Sequence, residues 1–516
     1  MITVGSNFHD SANGQVIGPM GNVYISFDKT QNNADFFTLG VSQLDGYDIL
    51  GTNDDSVIQL WDTYDYYDFS DRLVELDIER SIEFPFNTQA AMADFVLDNY
   101  DKYFTPGSGS TISPNNLPGR PVRVYGGFKN IGVVPQFVGL TQKMPTIDEE
   151  KATASYHAVD FLSEIANQTL NAVVDMRDAR TDQVLAKIVE QFGVLPSQYS
   201  FENGVNVIPF VFFDIGQNAG EAIQKLVQAE GGKFWLDEMG KLRFSRRNAN
   251  VTLPVTTIGD YSILSMTPSS YSDIVNHIVI SCDLREVQEF QTVYSKTPKG
   301  ESADMNWVVG PNASITRSCS LEDPCYSVVA PTLGHASSVS WFTAIDANGT
   351  NVPSGLSATG TLSTNAYTVT ITNTNNYAVE IDQLVLWGEP AKVYDHLDYD
   401  SYESDSLASY GDHRLTIADN QFFQSYDQAV SFADSILTQR AFYNQVFNME
   451  VKGDFSLQLG DVFDVTGIHA GTYQVDSIQW HLEAGLLSTS LVVHKVPHHE
   501  YFILDQSQLD SMYVLA

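Results

Sequence analysis

The chain has 516 residues, 43% hydrophobic and 12% aromatic, a composition rich enough in core-forming side chains to exclude a disordered chain. Its length corresponds to about three to four domains. Sixty-four acidic residues against 27 basic ones leave a net charge of −37, and such a polyanion repels phosphates, which weighs against sequence-reading of DNA or RNA.

Residues 1–70 are rich in Gly, Asn and Asp with brief apolar patches such as Val23-Tyr24-Ile25, and are expected to form an irregular or short-stranded arm. Asp54, Asp55, Asp62, Asp65, Asp68 and Asp71 occur there with no Lys or Arg between them; a second such run extends from Asp395 to Asp412. Either run is a solvated face or a surface that does not stick to passing nucleic acid, and composition leaves both open. No basic stretch followed by an apolar core opens the sequence, and no run approaches the ~20 apolar residues that span a bilayer. Synthesis in the cytosol, without a membrane segment, is the expectation.

From Val74 a two-residue period begins. Val74, Leu76, Ile78, Ile82 and Phe84 share one face, and Glu75, Asp77, Glu79 and Glu83 the other, the pattern of a strand with one buried side. Arg80 breaks the apolar phase, so it either snorkels or pairs with an acid. A helix-like piece is predicted over Thr88–Val96, and further strands over Arg120–Tyr125, Gln136–Leu140 and Lys151–Phe161. Residues 71–165 thereby read as an antiparallel β-barrel.

Residues 166–255 read as a small α+β domain. Val184, Leu185, Ile188, Val189 and Phe192 form one helical stripe, and Ala219, Ala222, Ile223, Leu226 and Val227 a second. Gly231-Gly232 stops the second helix, and a hairpin turns around Asp237-Glu238-Met239-Gly240.

Residues 310–388 hold only six charged side chains among many Ser, Thr, Asn and Gly residues, and an inserted β-sandwich is predicted over 310–395. Cys319 and Cys325 bracket a turn-like spacer and are a candidate disulfide; their one near histidine, His335, is too little for zinc. Cys282 falls in an alternating strand, as a buried thiol does. Trp341 and Trp387 are candidate carbohydrate contacts, with burial in the sandwich core as the competing reading.

Residues 256–309 and 410–496 form the second predicted barrel, with a helix over Asp427–Arg440. Phe447, Met449 and Val451 share a face, as do Tyr473 and Val475, but Ile478, Trp480 and Leu482 have the opposite parity. A β-bulge at Asp476-Ser477 is therefore expected. Residues 497–516 are a polar tail whose His498-His499-Glu500 lacks the further ligands of a metal site.

No phosphate loop, nucleophile elbow or zinc-protease helix occurs. Neither catalytic residues, cofactors nor metals are expected. The fold class is mainly β with an α+β part.

The strand at Val74 followed by Phe95-Val96-Leu97-Asp98-Asn99-Tyr100 and Pro118-Gly119-Arg120-Pro121, the Asn218–Leu226 helix leading into Gly240–Phe244, and Leu459-Gly460-Asp461-Val462 after a helix recur here in a characteristic order. In these parts, roughly 71–290 and 410–496, the chain resembles baseplate hub proteins of tailed bacteriophages, also found as minor tail or tail-tip proteins and related to hubs of contractile injection systems. The resemblance implies two hub-type barrels per chain and a homotrimeric ring around the DNA channel. Its implied partners are the tail tube or distal tail protein, the tape measure protein and a tail fibre or spike, in the virion tail tip. DNA would pass without specific binding, repelled by lumen carboxylates. A non-enzymatic structural hub is the leading reading. A glycan-binding or polysaccharide-degrading tail protein is the alternative, and a secretion-system or gene-transfer-agent hub a third.

Overall fold

The computed structural model describes residues 19–27, 66–83, 87–88, 90–129, 132–247, 254–259, 262–269, 273–296, 307–442, 445–453 and 455–496. The expectations for the tail 497–516, for Phe84 and for the aspartates of 54–65 lie outside these residues.

The first strands are β1 (Pro19–Ile25), β2 (Leu73–Glu83), β3 (Met92–Asp98), β4 (Pro121–Phe128), β5 (Gly132–Thr141) and β6 (Thr153–Asp160). Leu76, Ile78, Arg80 and Ile82 of β2 are buried, as the two-residue period requires. Val74 is not: the register slips between Leu73 and Glu75 against β3, and Val74 is left 47% exposed. Thr88–Val96 is not helical. Ala93, Phe95 and Leu97 alternate inward along β3, so pairing on both edges overrides the helical preference of the alanines. Part of the expected N-terminal arm, β1, pairs along its length with β4.

Helix α1 (Phe161–Ala166) leads into an α+β part containing β7 (Val174–Arg180), α2 (Thr181–Glu190), β8 (Val207–Phe213), α3 (Ala219–Glu230) and the hairpin β9 (Lys233–Leu236) and β10 (Leu242–Ser245). Asn218 caps α3 by accepting from Glu221 N–H, and Gly231 closes it at φ 68°, a conformation that costs glycine little. The unbroken apolar run of β8 has two destinations. Ile208, Val211 and Phe213 enter the α+β core, and Phe210 and Phe212 pack with Ala391 at the base of the sandwich.

The remaining labelled elements are β11 (Ile263–Pro268), β12 (His277–Cys282), β13 (Trp341–Ile345), β14 (Val379–Val393), α4 (Tyr426–Arg440), β15 (Val446–Lys452), β16 (Val462–Thr466), β17 (Gly471–Glu483) and β18 (Leu486–Lys495). In the sandwich region a seven-stranded sheet around β14 and a three-stranded sheet share one core that includes Phe342, Tyr367, Ile371 and Leu384. Ser425 and Gln428 form a capping box at the start of α4. Phe432, Ala433 and Ile436 of this helix pack in the α+β core together with Ile278 and Ile280 of β12. Leu457–Asp461 is a loop ahead of β16.

The fold is mainly β. Strands from both ends of the chain lie in one 15-stranded sheet, in the order β11-β15-β18-β17-β2-β3-β6-β5-β4-β1, with β16 beside the first part of β17. Among the described residues this ladder does not close, so two separately closed barrels are not seen. The halves meet where Ser477–Glu483 of β17 pairs with Glu75–Ser81 of β2. One hydrophobic core, from Val23 and Phe95 to Trp480 and Val493, runs beneath the join. Phe455 fills its centre, against Phe128 and Trp480. A Cβ on Gly126 would lie 2.3 Å from the Phe455 ring, so Gly126→Ala is expected to destabilise the fold by about 1–3 kcal/mol through overpacking, read as a lower urea midpoint.

Candidate functional site: a polar junction between the parts

Three parts of the chain meet around two buried polar groups. The first is Arg80, 2% exposed. Its Nη1 donates to Gln458 Oε1 at 2.7 Å and its Nη2 to the Leu236 carbonyl at 2.8 Å; Glu238 Oε2 lies 3.8 Å away. Gln458 Nε2 donates to Gln136 Oε1 at 3.3 Å, and Gln136 Nε2 to the Phe455 carbonyl at 2.7 Å. β2 and β5, the tip of the β9–β10 hairpin and the 455–461 loop are thereby tied into one network. Arg80 pairs with an acid and with carbonyl oxygens rather than reaching solvent.

The second group is Asp476. The register between β17 and β18 shifts between Val475 and Ser477, which is the expected bulge, and the extra residue is buried. Asp476 Oδ1 accepts from Lys233 Nζ of β9 at 2.9 Å, while Oδ2 faces His494 Nδ1 of β18 at 2.7 Å and Arg440 Nη2 of α4 at 3.8 Å. Burial alone pushes this carboxyl up, but His494, Lys233 and Arg440 outweigh it and hold it well below the usual carboxylate range.

Between these groups lies a cleft of about 320 Å³ lined by Trp235, Glu238, Arg243, Leu459, Asp461 and Gln474. Gly460, at φ 83°, forms its lip beside Trp235. Burial raises the Asp461 carboxyl to about 6, opposed by the Gln458 N–H and Arg80. Arg243 is held by Asp237 at 2.8 Å. Arg243 thus bonds within the hairpin and Asp461, accepting from Gln458 N–H, within the loop, while Arg80 binds hairpin to loop by donating to both Leu236 and Gln458.

Asp160, at the end of β6, is a third buried carboxylate. It caps α1 through Leu162 N–H at 3.0 Å and accepts from Ala91 N–H at 2.9 Å. Burial pushes it up to about 7, against these two donors and Arg80. A raised carboxyl stabilises the fold fully below its unfolded value near ~3.9, and that contribution is lost as pH rises through the folded value. Asp160→Asn is expected to flatten the fall in melting temperature between about pH 4 and pH 7, measured as a pH series against the parent chain.

The candidates from the sequence lie elsewhere. Cys319 and Cys325 are both buried free thiols in this structure, so the candidate disulfide is not formed. Burial raises them to about 11 and about 12, which keeps them protonated. Trp341 and Trp387 fall on one face of the β13–β14 pairing, since Trp341 is opposite Val385, two residues from Trp387. Trp341 is buried and Trp387 half-buried, and neither is in the main sandwich core. Trp341 packs against His335 in a tilted pair with ring centroids 4.5 Å apart, and Trp387 against Phe290, also tilted, at 5.8 Å. Sequence reading missed Lys233, Gln458 and the other partners of Arg80; the charge of Arg80 on an apolar strand face and the parity slip at Asp476 were the signals of the junction.

No family model and no curated protein matches the sequence. The solved structures to which the chain is similar include phage tail proteins. The 43 kDa tail protein of prophage MuSo2 from Shewanella oneidensis is 10% identical over 84% of this chain and 96% of that one, with a TM-score of 0.44. A tail protein from Neisseria meningitidis MC58 is 9% identical over 84% and 94%, with a TM-score of 0.45. An Escherichia coli component of the type VI secretion system, described as similar to the T4 tail proteins gp27 and gp5, is 8% identical over 83% and 74%, with a TM-score of 0.38. Superpositions this loose assign no role to any residue of this chain.

Proposed function

We propose that the chain is a non-enzymatic structural hub at the tail tip of a tailed phage. The observation that carries this reading is the joined sheet. Strands from residues 73–160 and 446–495 share one ladder and one core, and the buried junction at Arg80 and Asp476 ties both to the α+β part. This is the construction of a rigid scaffold, and it fits the order of elements by which the sequence resembles baseplate hubs. In the proposed assembly three copies form a ring around the DNA channel, with each half of the sheet contributing a barrel-like unit. The ring joins the tail tube or distal tail protein and receives the tape measure protein above and a fibre or spike below. Acidic side chains on the outward face of β2 and β3, among them Glu79 and Asp94, suit a surface that DNA passes without binding.

Sedimentation of the purified chain, followed by co-purification with tail tubes, tests the proposal. A trimer that associates with tubes supports it. A monomer that hydrolyses a surface polysaccharide overturns it in favour of a glycan-directed tail protein, with Trp387 as the first residue to substitute.

A further inference from the structure

The join between β2 and β17 carries a group of side chains that the scaffold does not explain. In this antiparallel ladder Glu75 is directly opposite Glu483, and Asp77 directly opposite His481. Residues two apart on a strand point to the same side, so all four occupy one face, on two adjacent rungs. Glu75, Asp77 and His481 each bring one ligand atom within 4.8 Å of the other two. His481 Nδ1 lies 2.7 Å from Asp77 Oδ1, and Glu483 Oε2 lies 3.6 Å from Nε2. All three residues of the close group are half-buried. Carboxylates thus crowd the imidazole from both strands of the join, and on its other edge Asp77 is opposite Asp94, which bonds His157.

Two physical points separate this group from an ordinary acidic surface. Like charges directly opposite one another destabilise an antiparallel pair, yet Glu75 faces Glu483 across the join, and Asp77 faces Asp94 across the β2–β3 pairing beside it. The donor set is also mixed: an imidazole nitrogen among carboxylate oxygens suits zinc, nickel or cobalt, whereas magnesium and calcium take oxygen alone. Bonds of ~2.0–2.2 Å set tetrahedral ligand atoms about 3.4 Å apart: Asp77 Oδ1 and His481 Nδ1, 2.7 Å apart here, open by rotation of the aspartate, Glu75 closes in, and Glu483, beside Nε2 here, swings to the same ring nitrogen. The ligands stand on paired strands next to the Ala484-Gly485 turn, where both residues have positive φ, so the backbone that presents them is held on both sides.

We propose that Glu75, Asp77 and His481, with Glu483 completing the set, bind a divalent transition-metal ion of the zinc type that pins β2 to β17. The ion neutralises the opposed carboxylates and cross-links segments that the hydrogen-bonded ladder already holds in register. An ion that binds the folded chain and not the unfolded one raises the melting temperature as its concentration rises. The inference stands whether or not the chain is a tail hub, since it uses only the ladder.

The test is calorimetric titration of the full-length chain with Zn²⁺, with His498→Ala and His499→Ala introduced throughout to remove the histidine pair of the tail. Co²⁺ absorption reports coordination geometry in parallel. One Zn²⁺ is expected per chain, together with a rise in melting temperature that Mg²⁺ does not reproduce. His481→Ala, and separately Glu75→Gln with Glu483→Gln, are each expected to weaken binding by at least about tenfold, while His157→Ala, which alters the neighbouring His157–Asp94 pair, leaves it unchanged. Circular dichroism shows that each variant is folded before titration. Absence of saturation below about 1 mM, or equal affinity in the parent and His481→Ala chains, overturns the site.

Discussion

Arg80→Ala is expected to destabilise the chain by about 3–5 kcal/mol, the usual consequence of removing one partner from a buried charged network. The substitution strips the donors from Gln458 Oε1 and the Leu236 carbonyl and leaves Glu238 beside an empty volume. Unsatisfied buried acceptors cost about 1–3 kcal/mol each, and the lost side chain adds a cavity. Arg80→Met keeps much of the stem packing and is expected to lose less. Urea unfolding at neutral pH measures both. Because the network spans three parts, the transitions by intrinsic tryptophan fluorescence and by far-UV circular dichroism are expected to lie further apart in Arg80→Ala than in the parent. Parent-like unfolding of Arg80→Ala would sink the view that this arginine holds the parts together.

Arg80 also shows where sequence reading reaches its limit. A charged residue on the apolar face of a strand was visible, and so was its need for an acid or for solvent. The partner was not, because Gln458 is 378 residues away in sequence and no local pattern encodes such a pairing. The same holds for Asp77 and His481, 404 residues apart, each of which reads alone as an ordinary polar position on a strand face. Local features were legible: the α3 stop at Gly231, the β9–β10 hairpin, the helix α4 itself and the parity slip at Asp476 all follow from short-range physics. Errors arose where tertiary pairing overrode local preference. Met92–Asp98 became a strand between two neighbours despite its helix-like look. Helix α4, placed beside the second set of strands by its position in sequence, packs instead with α3 and β12, because its apolar face matches the α+β core. The candidate cysteines and tryptophans were chosen by residue type, whereas the junction is defined by pairings of Arg80 and Asp476 with groups on other elements.

Asp476→Asn is the second substitution with a large expected effect. It removes the carboxylate shared by Lys233, Arg440 and His494, leaving up to three cationic groups in a buried site where Asp273 still acts on Arg440. A loss of about 3–5 kcal/mol is expected at neutral pH, a large share of the ~5–15 kcal/mol that stabilises a typical domain. The pH dependence has a definite sign. The folded carboxyl is held well below its ordinary range, so its contribution is fully present above the unfolded value near ~3.9 and is lost as pH falls through the folded one. The difference between parent and Asp476→Asn urea midpoints is therefore expected to be constant above about pH 5 and to shrink below about pH 4. Comparing the two chains at each pH removes the general effect of protonating the other acidic residues. Replacing Asp476 with Leu together with Lys233→Met and Arg440→Met is expected to recover much of the loss, because an apolar set of similar volume avoids the desolvation of both signs of charge. An Asp476→Asn chain that unfolds with the parent, or a difference that persists unchanged into acid, would show that the bulge turns this residue inward without its charge holding the second half to the α+β part.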